Sequence, residues 1–247
     1  SALPPLPYKD GYICEGWNYT SADLQSQRSY IEGGTIGAVY KSNDDKLHLF
    51  VRVDRGNETV SGLCFYETEN GGGTIDWGDG TTETPTGMLN THTYASVASA
   101  TVYEITFAPS QGVVNFSGSL ISGYTEDTAD DATTQWSARA AQIKEIRIPY
   151  GVTALPNCFF ANMTQIESVN IPSTVTNIGY MCFHNCISLR GVVVPAGCAF
   201  GNVGGASRAF SNTRALEQIS FPPTWNGSTT QVIYQKLVSL KRLAVPY

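Results

Sequence analysis

Apolar and polar positions alternate through the second half of the chain in five short phrases, each closed by a proline. They are Ile143-Lys-Glu-Ile-Arg-Ile-Pro149, Ile166-Glu-Ser-Val-Asn-Ile-Pro172, Leu189-Arg-Gly-Val-Val-Val-Pro195, Leu216-Glu-Gln-Ile-Ser-Phe-Pro222 and Leu240-Lys-Arg-Leu-Ala-Val-Pro246. The prolines recur every 23, 23, 27 and 24 residues. A strand-sized apolar phrase at this period predicts a solenoid of about five stacked repeats. Such an array works through an extended surface and seldom through a catalytic pocket.

The first two full repeats align without gaps. Val152/Val175, Leu155/Ile178, Phe160/Phe183, Met163/Cys186, Ile166/Leu189, Val169/Val192 and Ile171/Val194 coincide, all apolar. Each turn of chain thus carries a layer that only its neighbours can bury. Asn162, Asn185 and Asn212 share one register. Their amides are expected to satisfy backbone groups at the bend between turns. The third repeat has about four extra residues in Gly201-Asn-Val-Gly-Gly-Ala, which predicts a bulged loop. The segment around Trp136 and Ala140 reads as a degenerate first repeat.

The phrase Val175-Thr-Asn-Ile-Gly, Phe183, Asn185-Cys186, Leu189, Val192, Val194-Pro195 resembles the BspA-type leucine-rich repeat. The resemblance covers roughly the last 105 residues. That family occurs on surface and secreted proteins of gut and oral bacteria, in some protists, and on virions of phages infecting such bacteria. The resemblance therefore implies adhesion or partner recognition at an extracellular, cell-surface or virion location.

The first half has a different rhythm. Residues 1–34 read as an extended lead-in: Ser-Ala-Leu-Pro-Pro-Leu-Pro is proline-stiffened, Tyr12, Ile13 and Trp17 are apolar docking anchors, and Ser21 opens a short helix. Residues 35–118 break into short β-branched or aromatic runs bounded by turn residues. Strands are predicted at Ile36–Tyr40, Leu47–Val53, Val60–Tyr66, Thr74–Trp77, Thr101–Phe107 and Val113–Phe116, with a hairpin across Ser42–Lys46. This series predicts an immunoglobulin-like β-sandwich. Within it, Thr74-Ile-Asp-Trp-Gly-Asp-Gly-Thr81, His92-Thr-Tyr94 and Tyr103-Glu-Ile-Thr-Phe107 resemble the PKD family of immunoglobulin-like domains. Ile75 stands where that family has tryptophan, while Trp77 keeps an aromatic between the acid and the glycine. The family supplies spacer and interaction modules on exported proteins. The fold expected overall is mainly β, a sandwich at 35–118 followed by a solenoid at 119–247.

The 247 residues carry a net charge of −6. That balance disfavours nucleic-acid binding, which needs a basic face to displace counterions, and no apolar run is long enough to span a bilayer. Ser1 opens the chain with no signal-peptide pattern. The missing initiator Met, and Tyr247 following a repeat's proline without a polar cap, lead us to expect a fragment of a longer protein. Cys14, Cys64, Cys158, Cys182, Cys186 and Cys198 form no C-x-x-C pair, so a zinc site is not expected. Cys158, Cys182 and Cys186 fall where the repeat wants small buried groups.

Alternation within the phrases places Arg147, Asn170, Val193, Ser220 and Ala244 on one exposed ladder. Arg190, Glu217 and Arg242 flank it, and these residues are the candidate binding face for a protein or glycan on a host or neighbouring cell. A solvated face of mixed charge is the competing reading. Asn162, Asn185, Asn212, Phe160, Phe183 and Trp77 are read as structural. Asp76, Asp79 and Glu83 are candidates for a calcium cluster, although turn-forming roles suit them better, and no cofactor is expected. His48, His92 and His184 accompany no G-x-S-x-G or H-E-x-x-H motif, so no catalysis is expected. Of the Asn-x-Ser/Thr sequons at Asn18, Asn57, Asn115, Asn162 and Asn226, Asn162 falls in the buried asparagine register. The sequence reads as a non-catalytic adhesion or recognition module. Its alternative is a structural spacer or phage decoration or tail component that assembles with other virion or surface subunits.

Overall fold

A computed structural model describes residues 12–17, 38–42, 44–63, 72–85, 90–110, 142–201, 208–220 and 242–244. The chain divides into two compact units, Ser1–Asp44 and Asp45–Tyr247. In the first, β1 (Tyr12–Trp17) pairs antiparallel with β2 (Ala38–Ser42), with an irregularity between Cys14 and Gly16. Residues read from sequence as linker anchors therefore belong to a strand.

The second unit begins with β3 (Leu47–Val53), β4 (Thr59–Leu63), β5 (Gly73–Asp76), β6 (Thr82–Glu83), β7 (Asn90–Thr93) and β8 (Thr101–Pro109). It continues with β9 (Ile143–Arg147), β10 (Ala154–Leu155), β11 (Val169–Asn170), β12 (Asn177–Ile178), β13 (Gly191–Val193), β14 (Ala199–Phe200), β15 (Gln218–Ser220) and β16 (Arg242–Ala244). No helix occurs among the described residues.

The hairpin expected across Ser42–Lys46 does not form. A strand has two hydrogen-bonding edges; β8 and β9 take both edges of β3, and β2 pairs with β1. The expected strand Val113–Phe116, the helix start at Ser21 and the degenerate repeat at Trp136 lie outside the described residues.

Alternation places Leu47, Leu49, Val51 and Val53 of β3 on the buried face, opposite Ile105 and Phe107 of β8 and beside Ile75 and Trp77. β4 and β7 pair antiparallel in a separate sheet and add Val60 and Leu63 to the same core. The turn after β5 needs glycine: Gly78 has φ +78°, and a Cβ there would lie 2.5 Å from the Glu104 carbonyl oxygen.

The six-stranded sheet has the order β11-β9-β3-β8-β5-β6, so one sheet carries strands from both halves of the unit. The boundary expected near residue 118 falls outside the described residues, and the strands before and after it are hydrogen-bonded neighbours. β9 runs antiparallel to β3, with Leu49 opposite Ile146 and a register shift between Phe50 and Val51. One apolar cluster extends from Leu47 to Ile219.

Beyond β9 the chain stacks repeat upon repeat. β11 lies parallel to β9, and β13, β15 and β16 form a parallel ladder; a Ser168–Gly191 bridge links the two sets. A second parallel ladder joins β10, β12 and β14. Between these ladders each repeat makes an arc of turns. There the Cys158, Phe160 and Asn162 amides donate to the carbonyls of Tyr180, Cys182 and His184, each at 2.8 Å. Backbone polar groups are thus satisfied from one layer to the next where no regular strand exists. The seven apolar columns read from the sequence are buried at both of their aligned positions. Gly179 permits the close stacking, since a Cβ there would sit 2.4 Å from the Asn157 nitrogen and the Pro156 carbonyl carbon.

Candidate binding face

The strand phrases come into register as a ladder. Asn170 is the Cα partner of Arg147, and Val193, Ser220 and Ala244 follow one another across β13, β15 and β16. The ladder also runs the other way. Arg147 is opposite His48, His48 opposite Thr106, and Thr106 opposite Asp76. With strands about 4.8 Å apart, a row of this kind reaches well beyond the repeats.

The exposure expected for this ladder is corrected at its centre. The Arg147 side chain is only 13% exposed. Its guanidinium carbon lies 4.5 Å from the Phe50 ring centroid, and its Nε donates to Glu145 Oε1 at 2.7 Å. Stacking on the ring and pairing with the carboxylate hold the guanidinium flat against the sheet. Asn170 and Val193 are half-buried. Arg190, by contrast, is exposed and reaches Glu217 Oε1 at only 3.5 Å, while Glu167 and Ser168 beside it are exposed. For Ser220 and Arg242 the backbone places both in the β13–β15–β16 ladder.

Sequence reasoning did not place His48, Phe50 or Glu104 on this face. His48 Nδ1 lies 2.8 Å from Glu104 Oε1, and both share a face with Phe50 and Arg147. The alternation of β3 marks His48, Phe50 and Arg52 as one face; nothing in it says that β9 will be the neighbour.

The residues read as structural pack in columns. Phe160, Phe183 and Phe210 stack with centroids 5.1 and 5.3 Å apart. Asn185 Nδ2 donates to Asn162 Oδ1 at 2.8 Å, Asn212 Nδ2 donates to Asn185 Oδ1 at 2.6 Å, and Arg214 Nε closes the series on Asn212 Oδ1 at 2.9 Å. These amides bind one another, which corrects the expectation that they serve the backbone. The reason is conformational: all three asparagines are left-handed, with φ of 64°, 59° and 60°, and their backbone groups are placed to bond between layers without side-chain help. Cys158, Met181 and Arg208 form a second left-handed column with φ of 56°, 52° and 48°.

Ahead of the repeats, Trp77 is fully buried and stacks on His92 with centroids 4.7 Å apart. The Tyr94 hydroxyl donates to the Trp77 carbonyl at 2.9 Å. Asp76 accepts from the Gly78 amide, and Asp79 accepts from the Thr81 amide and hydroxyl and meets His92 Nε2 at 2.8 Å. Partial burial pushes the Asp79 carboxyl up, but the hydrogen bonds from Thr81 and His92 outweigh it and hold the group at about 2. These carboxylates are committed to the turn. No group of three His, Cys, Asp or Glu that could hold a metal occurs among the described residues.

Cys158, Cys182, Cys186 and Cys198 are free and buried. Burial pushes the Cys182 and Cys186 thiols well up, and Cys198 up to about 12, which suppresses the nucleophilic thiolate. His184 is buried in the arc of turns. No curated protein and no solved structure matches the chain. Residues 138–246, a stretch that spans β9 to β16, match the BspA type leucine rich repeat region in six copies.

Proposed function

We propose that this chain is a non-catalytic recognition module of a cell surface or virion. In this reading a PKD-like sandwich carries a BspA-type solenoid that binds a protein or glycan partner through its strand face. The observation that carries the reading is the in-register row from β5 to β16, which offers one broad surface made of every repeat. Repeats of this family suggest surface-associated, adhesion-type proteins, and no helix among the described residues is long and apolar enough to cross a membrane. The sandwich reading is supported by the antiparallel strands β3, β5 and β8 and by the packing of Trp77, His92 and Tyr94.

Within the face, the contact points are Arg190, Glu167, Ser168 and Asn170. Arg190 is an exposed cation beside the row, and its 3.5 Å approach to Glu217 leaves it open to a better partner. Arg147 lies on the same face, its guanidinium held flat against the sheet by Phe50 and Glu145. Glycan and protein arrays would identify a ligand. The triple variant Arg147→Ala, Asn170→Ala, Arg190→Ala should then bind it at least tenfold more weakly with an unchanged far-UV spectrum. Unchanged affinity would refute the placement, and an absence of saturable binding would favour a structural spacer.

A further inference from the structure

We infer that Arg208 and Ser211, beside Tyr180, form a binding site for a small oxyanion of carboxylate or phosphate type, set in the arc of turns and not on the strand face.

The inference begins with a change of chemistry along one column. Cys158, Ala161, Tyr180 and Met181 form a small apolar cluster of their own, apart from the main core. Met181 and Arg208 succeed Cys158 in the left-handed column. His184 and Ser211 succeed Ala161: the Asn162 amide donates to the His184 carbonyl, and the Asn185 amide to that of Ser211. The third repeat thus places an arginine and a serine where the first places a thiol and a methyl group.

Their polar atoms are enclosed without being satisfied. Ser211 is 3% exposed and its hydroxyl has no hydrogen-bond partner among the described residues; the same holds for the enclosed Nε of Arg208. Arg208 Nη1 reaches the Tyr180 hydroxyl only at 3.5 Å. None of the ion pairs among the described residues includes Arg208. The Ser211 amide donates to the Arg208 carbonyl at 3.1 Å, so one turn holds both residues. Buried donors left unpaired destabilise a fold, and a half-buried charge without a counter-ion does so more.

The chemistry of the set selects its occupant. A guanidinium offers only donors, and each hydroxyl can donate as well. Two unpaired donors, the Arg208 Nε–H and the Ser211 hydroxyl, with one fixed positive charge suit an oxyanion, which guanidinium binds through charge-assisted hydrogen bonds. They repel a metal cation, and a neutral water leaves the charge uncompensated.

The test uses the full 247-residue chain and two probes, inorganic phosphate and acetate, titrated against chloride at constant ionic strength with thermal unfolding as the readout. The wild type should show a saturable stabilisation by at least one oxyanion that chloride does not give. Arg208→Met installs the residue that the preceding repeat has at this position, so the fold has a precedent for it. It should weaken the apparent affinity at least tenfold. Arg208→Lys keeps the charge but loses the planar fork and should weaken it several-fold, as should Ser211→Ala; these two variants serve where Arg208→Met fails to fold. An oxyanion response unaltered in the Arg208 variants, or a wild type that answers oxyanions only as it answers chloride, overturns the proposal. Its failure leaves the strand-face reading untouched, because that reading involves none of these residues.

Discussion

Asn185 Nδ2 donates to Asn162 Oδ1 across 2.8 Å while both residues hold positive φ. Asparagine meets two demands here: it tolerates the left-handed conformation, and its amide can donate to one neighbour and accept from the other. Separating the demands gives a prediction. Asn185→Gly loses only the amide bonds, whereas Asn185→Ala also incurs the left-handed penalty of about 1–2 kcal/mol. The alanine variant should therefore be less stable than the glycine variant by about 1 kcal/mol in denaturant midpoints. Equal stabilities would mean that the ladder, not the conformation, fixes this residue.

Gly179 and Gly56 offer a matched contrast. A Cβ at Gly179 would meet backbone atoms at 2.4 Å, whereas at Gly56, with φ +80°, it meets nothing within 4 Å. Gly179→Ala should cost more than about 3 kcal/mol, because two stacked layers must move apart. Gly56→Ala should cost only about 1–2 kcal/mol, from conformation alone. Thermal unfolding of both variants compares them directly.

The shared sheet makes a prediction about cooperativity. Leu49 lies between Ile105 on one side and Ile146 on the other. Leu49→Ala should lose about 2–5 kcal/mol. Slow amides in the distant repeats, such as those of Leu189 and Leu216, should lose protection as much as those of β8 do. Protection lost from β8 alone would mean that the two halves unfold separately.

Acid should find Asp79. Its carboxyl is held at about 2, below the usual 3.8, so the folded state binds a proton less readily than the unfolded chain. The resulting stability is present above roughly pH 4 and is lost as pH falls through about 2. Asp79→Asn should flatten the stability profile across that window. A profile as steep as that of the wild type would assign the acid sensitivity to other carboxylates.

The buried thiols should be silent. Cys182, Cys186 and Cys198 should resist alkylation at pH 8 in the native protein and react on unfolding, as read by peptide mass mapping. Rapid native labelling of any of the three would contradict their burial.

The sequence shows its layers because each repeat repeats the same apolar positions, and burial follows at every aligned pair. Trp77, Tyr94 and the Asp79 turn are legible for a related reason, since their chemistry is local. Pairings between distant segments are not. Leu47–Val53 has the alternation of a strand with two partners to find, but nothing local names Ile143–Arg147 as one of them. The same limit explains Arg147: its place in the ladder follows from register, whereas its low exposure depends on Phe50, nearly a hundred residues earlier. The left-handed turns at Cys158, Met181 and Arg208 also escape reading, because none of these residue types signals positive φ.

β3 meets β9 head to tail, whereas every later strand of that ladder follows its predecessor in the same sense. The first layer is therefore closed by a strand of opposite polarity, on which no further coil of the same kind could grow.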